Sequence, residues 1–160
     1  MKKSLVDILD FETDEINGVF SKARELKKLS RSNNYAPLKG KTLGMIFRKS
    51  STRTRISFEV GMYQLGGKAL FLDYKDLQWE RGETLSDSAK VLSLYLDGIV
   101  IRTYSHEEVE GLTKAADVPV INGLSDLLHP CQVLTDIFTI QEHVDDVKKI
   151  KIVYLGDGNN

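Results

Sequence analysis

Between residues 13 and 29, Ile16, Val19, Phe20, Ala23 and Leu26 recur at three- and four-residue intervals, the spacing of one helical face. A shorter helix-like stretch precedes them around residues 4–9. Beyond Thr42 the pattern changes. Short apolar runs at 43–47, 69–72, 99–101, 118–121 and 152–155 read as strands, and amphipathic segments at 53–65, 85–96, 106–116 and 130–144 read as helices between them. The last carries Val133, Leu134, Ile137, Phe138 and Ile140 along one side. This alternation predicts an α/β protein, a parallel sheet flanked by helices and joined by right-handed crossovers. Ligands of such sheets bind beyond the carboxyl ends of the strands.

Three polar segments leave those ends, at 48–54, 102–105 and 122–130, and are expected to converge. A fourth, 73–84, is longer than a tight turn and carries Trp79, which reads as exposed, so it suits a functional or partner-reaching role. Residues 149–155 read as a buried strand followed by Gly156-Asp157-Gly158-Asn159-Asn160, a turn that ordinarily feeds another helix. The expected organisation is therefore one domain over 1–148, with 149–160 as the first strand and turn of a truncated second domain.

A chain of 160 residues is about one domain long, and a domain of this size buries roughly 70% of its unfolded surface without needing staples. Lys and Arg number 22 against 23 Asp and Glu, a net charge of −1 that gives no reason to expect nucleic acid or an anionic membrane as partner. Cys131 is the single cysteine, which rules out an internal disulfide and fits a reducing compartment; no Cys/His spacing suggests zinc. Asp7 and Asp10 interrupt any apolar signal core, and no apolar run reaches transmembrane length, so the expected location is the cytoplasm.

The chemistry concentrates in Arg48-Lys49-Ser50-Ser51-Thr52-Arg53-Thr54-Arg55, where strand gives way to helix. Free N–H groups at a helix start carry partial positive charge, and the hydroxyls of Ser51, Thr52 and Thr54 add donors. Arg53 and Arg55 can supply paired, charge-assisted hydrogen bonds to a phosphate. A well-capped helix with a basic first turn explains the same residues. Cations there oppose the helix dipole, however, so an anion is wanting. Arg102 ends a strand, and His129-Pro130-Cys131-Gln132 opens a helix with proline in its first turn. A snorkelling Arg102 and a capping His129 are the structural alternatives.

Ser51-Thr52-Arg53-Thr54-Arg55, Arg102, His129-Pro130-Cys131-Gln132 and Asp157-Gly158-Asn159-Asn160, in this order, resemble the motifs of the aspartate/ornithine carbamoyltransferase family. Phe58-Glu59-Val60, Gln64-Leu65-Gly66-Gly67 and Arg81-Gly82-Glu83-Thr84-Leu85 before Asp87 extend the resemblance along the chain, which is most like that family's N-terminal, carbamoyl phosphate-binding half. The resemblance implies that Ser51, Thr52, Arg53 and Thr54 hold the phosphate, and that Thr54, Arg102 and His129 contact the carbamoyl oxygen and carry catalysis. It implies further that Gln132 meets the carbamoyl NH₂, with Pro130 and Cys131 in the same motif. Gln78 matches a glutamine that the ornithine branch carries into a neighbouring subunit's site, within a trimer. Asn160 matches an asparagine contacting ornithine. Trp79-Glu80 stands where Leu-Gly is common, and Arg81 lies near the position of a lysine in the aspartate branch.

The implied activity is carbamoyl transfer from carbamoyl phosphate to ornithine, giving citrulline and phosphate, without metal or organic cofactor. The chain alone is expected to bind carbamoyl phosphate and to be weak or inactive in turnover. An aspartate or other amine carbamoyltransferase, and a noncatalytic self-associating domain in which Gln78 and Trp79 merely pack at a subunit boundary, are the alternatives.

Overall fold

The computed structural model describes residues 3–29, 35–77, 79 and 82–157. Helix α1 (Thr13–Leu29) is followed by strand β1 (Thr42–Phe47), helix α2 (Thr52–Gln64), β2 (Lys68–Asp73), α3 (Leu85–Ser93), β3 (Gly98–Arg102), α4 (His106–Ala115), β4 (Val120–Leu124) and α5 (Pro130–Gln141). The four strands form one parallel sheet in the order β2-β1-β3-β4. The expected α/β architecture is the one observed.

Strand periodicity divides the core. On β1, Leu43, Met45 and Phe47 face one side with Met62 of α2 and Val100, while Ile46 faces the other with Ile99, Ile101, Ala89 of α3 and Val109 and Leu112 of α4. Helices α3 and α4 thus cover one face. Helix α2 covers part of the opposite face, where Leu134 of α5 lines a cavity with Ile121. Helix α1 crosses α5: the Phe20 and Phe138 rings lie 5.9 Å apart, and Lys27 pairs with Glu142 at 2.7 Å. Between α2 and the β4 edge an apolar cavity of about 500 Å³ stays open, floored by Leu43 and Ile121.

Three expectations are corrected. Residues 4–9 are not a helix: Leu5 forms a parallel bridge with Ile121, its N–H donating to Val120 O at 2.9 Å, and only Ile8–Asp10 makes a 3₁₀ turn. Strand β4 runs on through Asn122, Gly123 and Leu124 instead of stopping at 121, because the polar Asn122 is fully buried with donors to Val6 O and Leu128 O. Residues 151–155 join no strand and lie exposed, Leu155 by 92%, because no described strand pairs with them. Among the described residues no helix is long and apolar enough to cross a membrane.

Candidate active site at the carboxyl ends of the sheet

The three polar segments converge as expected. Arg48 N donates to Arg102 O at 2.9 Å, and Asp126 N donates to Tyr104 O at 2.9 Å. Lys49 Nζ reaches Asp126 Oδ1 at 3.0 Å, tying the first loop to the third. Parallel pairing of β1, β3 and β4 in this order places their carboxyl ends side by side, so residues far apart in sequence share one corner.

Ser51 is the N-cap of α2: its backbone is extended and its Oγ accepts from Thr54 N at 3.2 Å. The capping explanation of this hydroxyl is therefore correct as far as it goes, and the Ser51 O–H is still left as a donor. Thr52 and Arg53 open the helix. Thr54 Oγ1 accepts from Arg102 Nη1 at 3.4 Å, bringing the end of β3 against the first turn of α2. Arg102 also donates to Gly123 O at 3.5 Å, while its Nε is buried with no partner among the described residues. Burial holds the Arg102 guanidinium below its usual pKa. Its Nε is buried and its Nη1 turns back onto Thr54 and Gly123, which is not the outward reach of a snorkelling side chain.

His129 is the N-cap residue of α5, yet its side chain makes no capping hydrogen bond. Burial, and then the positive charge of Arg102, push its imidazole below the ordinary histidine value, with Asp136 opposing. Pro130 fills the first helical position and is buried. Cys131 Sγ faces the Asn122 carbonyl at 3.5 Å, and burial raises its thiol to about 11, so it is a packed thiol and not a nucleophile. Gln132 Nε2 donates to Asp136 Oδ1 at 2.7 Å.

The basic residues sort themselves by partner. Arg48 pairs with Glu108 at 2.5 Å and lies over Tyr74; Lys49 is held by Asp126; Arg55 pairs with Glu59 at 3.1 Å and stacks on Phe71 at 3.8 Å. Arg55, expected to join Arg53 in binding a phosphate, has its head engaged by Glu59 and Phe71 on the β2 side. Arg53 and Arg102 remain without a carboxylate partner among the described residues. The helix starts agree: α1, α3 and α4 carry acidic residues in their first turns, while α2 and α5, which open onto the corner, carry none. Trp79 is half-buried, edge-on to Tyr74 at 5.2 Å, and not the exposed residue expected. Gln78, Glu80, Arg81 and Asn160 lie outside the described residues.

Sequence reasoning passed over the buried polar residues behind the corner. Thr103 and Ser125 are fully buried; Thr103 donates to Glu108, and Ser125 Oγ accepts from Leu128 N at 3.1 Å and meets His106 Nδ1 at 2.9 Å. Each directly follows the last residue of its strand, β3 ending at Arg102 and β4 at Leu124. The Ser125, His106 and Glu110 row looks like a nucleophilic triad, but the hydroxyl has no exposure to any substrate.

Parallel strands that deliver a guanidinium without a carboxylate partner among the described residues to the start of a capped helix define an α/β domain with a basic corner at the carboxyl ends of its sheet. Comparison with known proteins gives that corner a family. The model of the aspartate/ornithine carbamoyltransferase carbamoyl phosphate-binding domain matches residues 3–142, and the chain belongs to this family. It is 60% identical to the ornithine carbamoyltransferase of Syntrophus aciditrophicus, covering 100% of this chain and 53% of that protein, and 57% identical to that of Bacillus subtilis, over 99% and 49%. The solved ornithine carbamoyltransferase of Pyrococcus furiosus superposes with a TM-score of 0.93 at 51% identity, over 99% of this chain and 51% of that one. The chain thus spans about half the length of the relatives it matches.

Proposed function

We propose that this chain is the carbamoyl phosphate-binding half of an ornithine carbamoyltransferase. The observation that carries the reading is Arg102: its guanidinium is half-buried, has neither a carboxylate nor a partner for Nε among the described residues, and sets Nη1 3.4 Å from the Thr54 hydroxyl at the start of α2. A buried cation without a counterion is costly, and a bound oxyanion removes that cost.

In this reading Ser51, Thr52, Arg53 and Thr54 hold the phosphate, and Thr54, Arg102 and His129 surround the carbamoyl oxygen. Attack by a neutral amine on the carbamoyl carbon shifts an electron pair onto that oxygen. Donors fixed before the reaction stabilise this charge more than they stabilise the ground state. As the tetrahedral centre collapses, the C–O bond to phosphate breaks, and Arg53 and Arg102 offset the charge of the leaving group. The attacking nitrogen passes its proton to the departing phosphate, leaving a neutral ureido product and hydrogen phosphate. The scheme calls for no metal or organic cofactor.

Ornithine is inferred from curated relatives 50–60% identical to this chain that are named ornithine carbamoyltransferase, against an aspartate-using alternative. Residues 149–160 are assigned as the opening of an ornithine-binding domain, with Asn160 contacting the second substrate. A cytoplasmic homotrimer, with Gln78 reaching a neighbour's site, completes the reading and places it in arginine metabolism. Ile56, Val60 and Tyr63 on one face of α2 and Leu70 on the edge strand β2 are 44–81% exposed, which supports an interface between copies.

Calorimetric titration tests the socket. Carbamoyl phosphate and inorganic phosphate should both bind, Arg53→Ala should weaken each by tenfold or more, and added ornithine should give little citrulline. Carbamoyl phosphate binding that is absent, or indifferent to Arg53→Ala in a folded protein, would reject the assignment. Trimers that ignore phosphate would favour the noncatalytic alternative.

A further inference from the structure

Gln132 lies one turn before Asp136 on α5, and its Nε2 donates to Asp136 Oδ1 at 2.7 Å. A carboxylate accepts hydrogen bonds and does not donate them. Of the two orientations of the Gln132 amide, only the one with NH₂ toward Asp136 makes this bond. The carbonyl oxygen Oε1 is left at the other end as an acceptor. Gln132 stands in the first turn of α5, its backbone N–H donating to His129 O at 3.1 Å, which puts the pair at the margin of the corner.

We propose that Asp136 is a positioning residue that sets substrate specificity: by holding the Gln132 NH₂, it presents an acceptor to the carbamoyl end of the ligand. The proposal rests on the carbamoyl phosphate reading of the corner. An acceptor there matches the carbamoyl NH₂, a donor. The methyl group of an acyl phosphate of the same shape would leave Oε1 desolvated and unpaired, and a flipped amide would set two donors against each other. Discrimination built on a polar partner is steeper than discrimination by shape alone. Asp136 also repels the phosphate, but that effect is common to both ligands and cancels in their ratio.

Three probes separate these terms. Inorganic phosphate reports the socket. Phosphonoacetamide and acetonylphosphonate differ only in NH₂ against CH₃ on the carbonyl, and neither hydrolyses as carbamoyl phosphate does. The wild-type chain should prefer the amide. Asp136→Ala should reduce that preference roughly three- to tenfold without weakening phosphate binding. Asp136→Asn, whose Oδ1 can still accept, should retain most of it. Asp136→Ala added to Gln132→Ala should change the ratio no further, because the effect passes through the amide. An unchanged preference in Asp136→Ala, with phosphate and amide both bound by the wild type, overturns the proposal and leaves the site reading standing. Failure of the wild type to bind phosphate or the amide overturns the site reading itself.

Discussion

At the scale of single residues, the corner holds groups that the fold alone would not select. Arg102 contributes a half-buried guanidinium whose Nε has no partner among the described residues. Its replacement by methionine should leave stability unchanged or raise it by up to about 1 kcal/mol, while phosphate affinity falls at least tenfold; a urea midpoint and a titration measure the two together. His129 gives a pH signature. Its folded pKa is depressed, so the unfolded chain binds more protons between the two values and stability rises with pH across that window. The contribution is full above the ordinary imidazole pKa and is lost as the pH falls below it. Urea unfolding at pH 5 and pH 7.5 should show this slope in the wild type and lose part of it in His129→Asn. The Cys131 thiol, raised to about 11 by burial, should react with iodoacetamide at neutral pH far more slowly than a free thiol.

At the scale of elements, glycine placement gives a packing test. A Cβ on Gly44 would overlap Leu96 Cδ1 beneath β1, so Gly44→Ala should cost about 1–3 kcal/mol, toward the low end if Leu96 swings aside, as read from chemical denaturation. The sheet and its helices were legible because their apolar periods are local: 13–29 is the span of α1, and the other helices shift by one to three residues at their ends. What escaped were features decided by distant partners. Leu5 pairs with Ile121, which no helical period near residue 5 can reveal, and Asn122 stays in β4 because Val6 and Leu128 supply its acceptors. The site was legible in its residue types and their order, through Ser51, Thr54, Arg102 and His129. The partners that turn Arg55 away and orient Gln132 are side-chain contacts, and composition does not encode them.

At the scale of the whole molecule, the buried clusters lie before residue 150. Both buried clusters draw on residues between Leu38 and Ile121, with Val6 added from the N-terminal segment, and α5 is held from outside by α1. Residues 151–155, by contrast, place Ile152, Val153, Tyr154 and Leu155 at 68–92% exposure and add nothing to the sheet. Such a β-prone apolar run without a pairing partner is a template for association between chains. A chain ending at Lys149 should therefore melt within about 2 °C of the full 160 residues, since the lost contacts amount to well under 1 kcal/mol, and it should bind phosphate equally. It should also sediment with less concentration-dependent self-association, and Val153→Lys in the full chain should reproduce that gain. A melting temperature lower by many degrees in the shortened chain would instead make residues 150–157 part of the domain's own core.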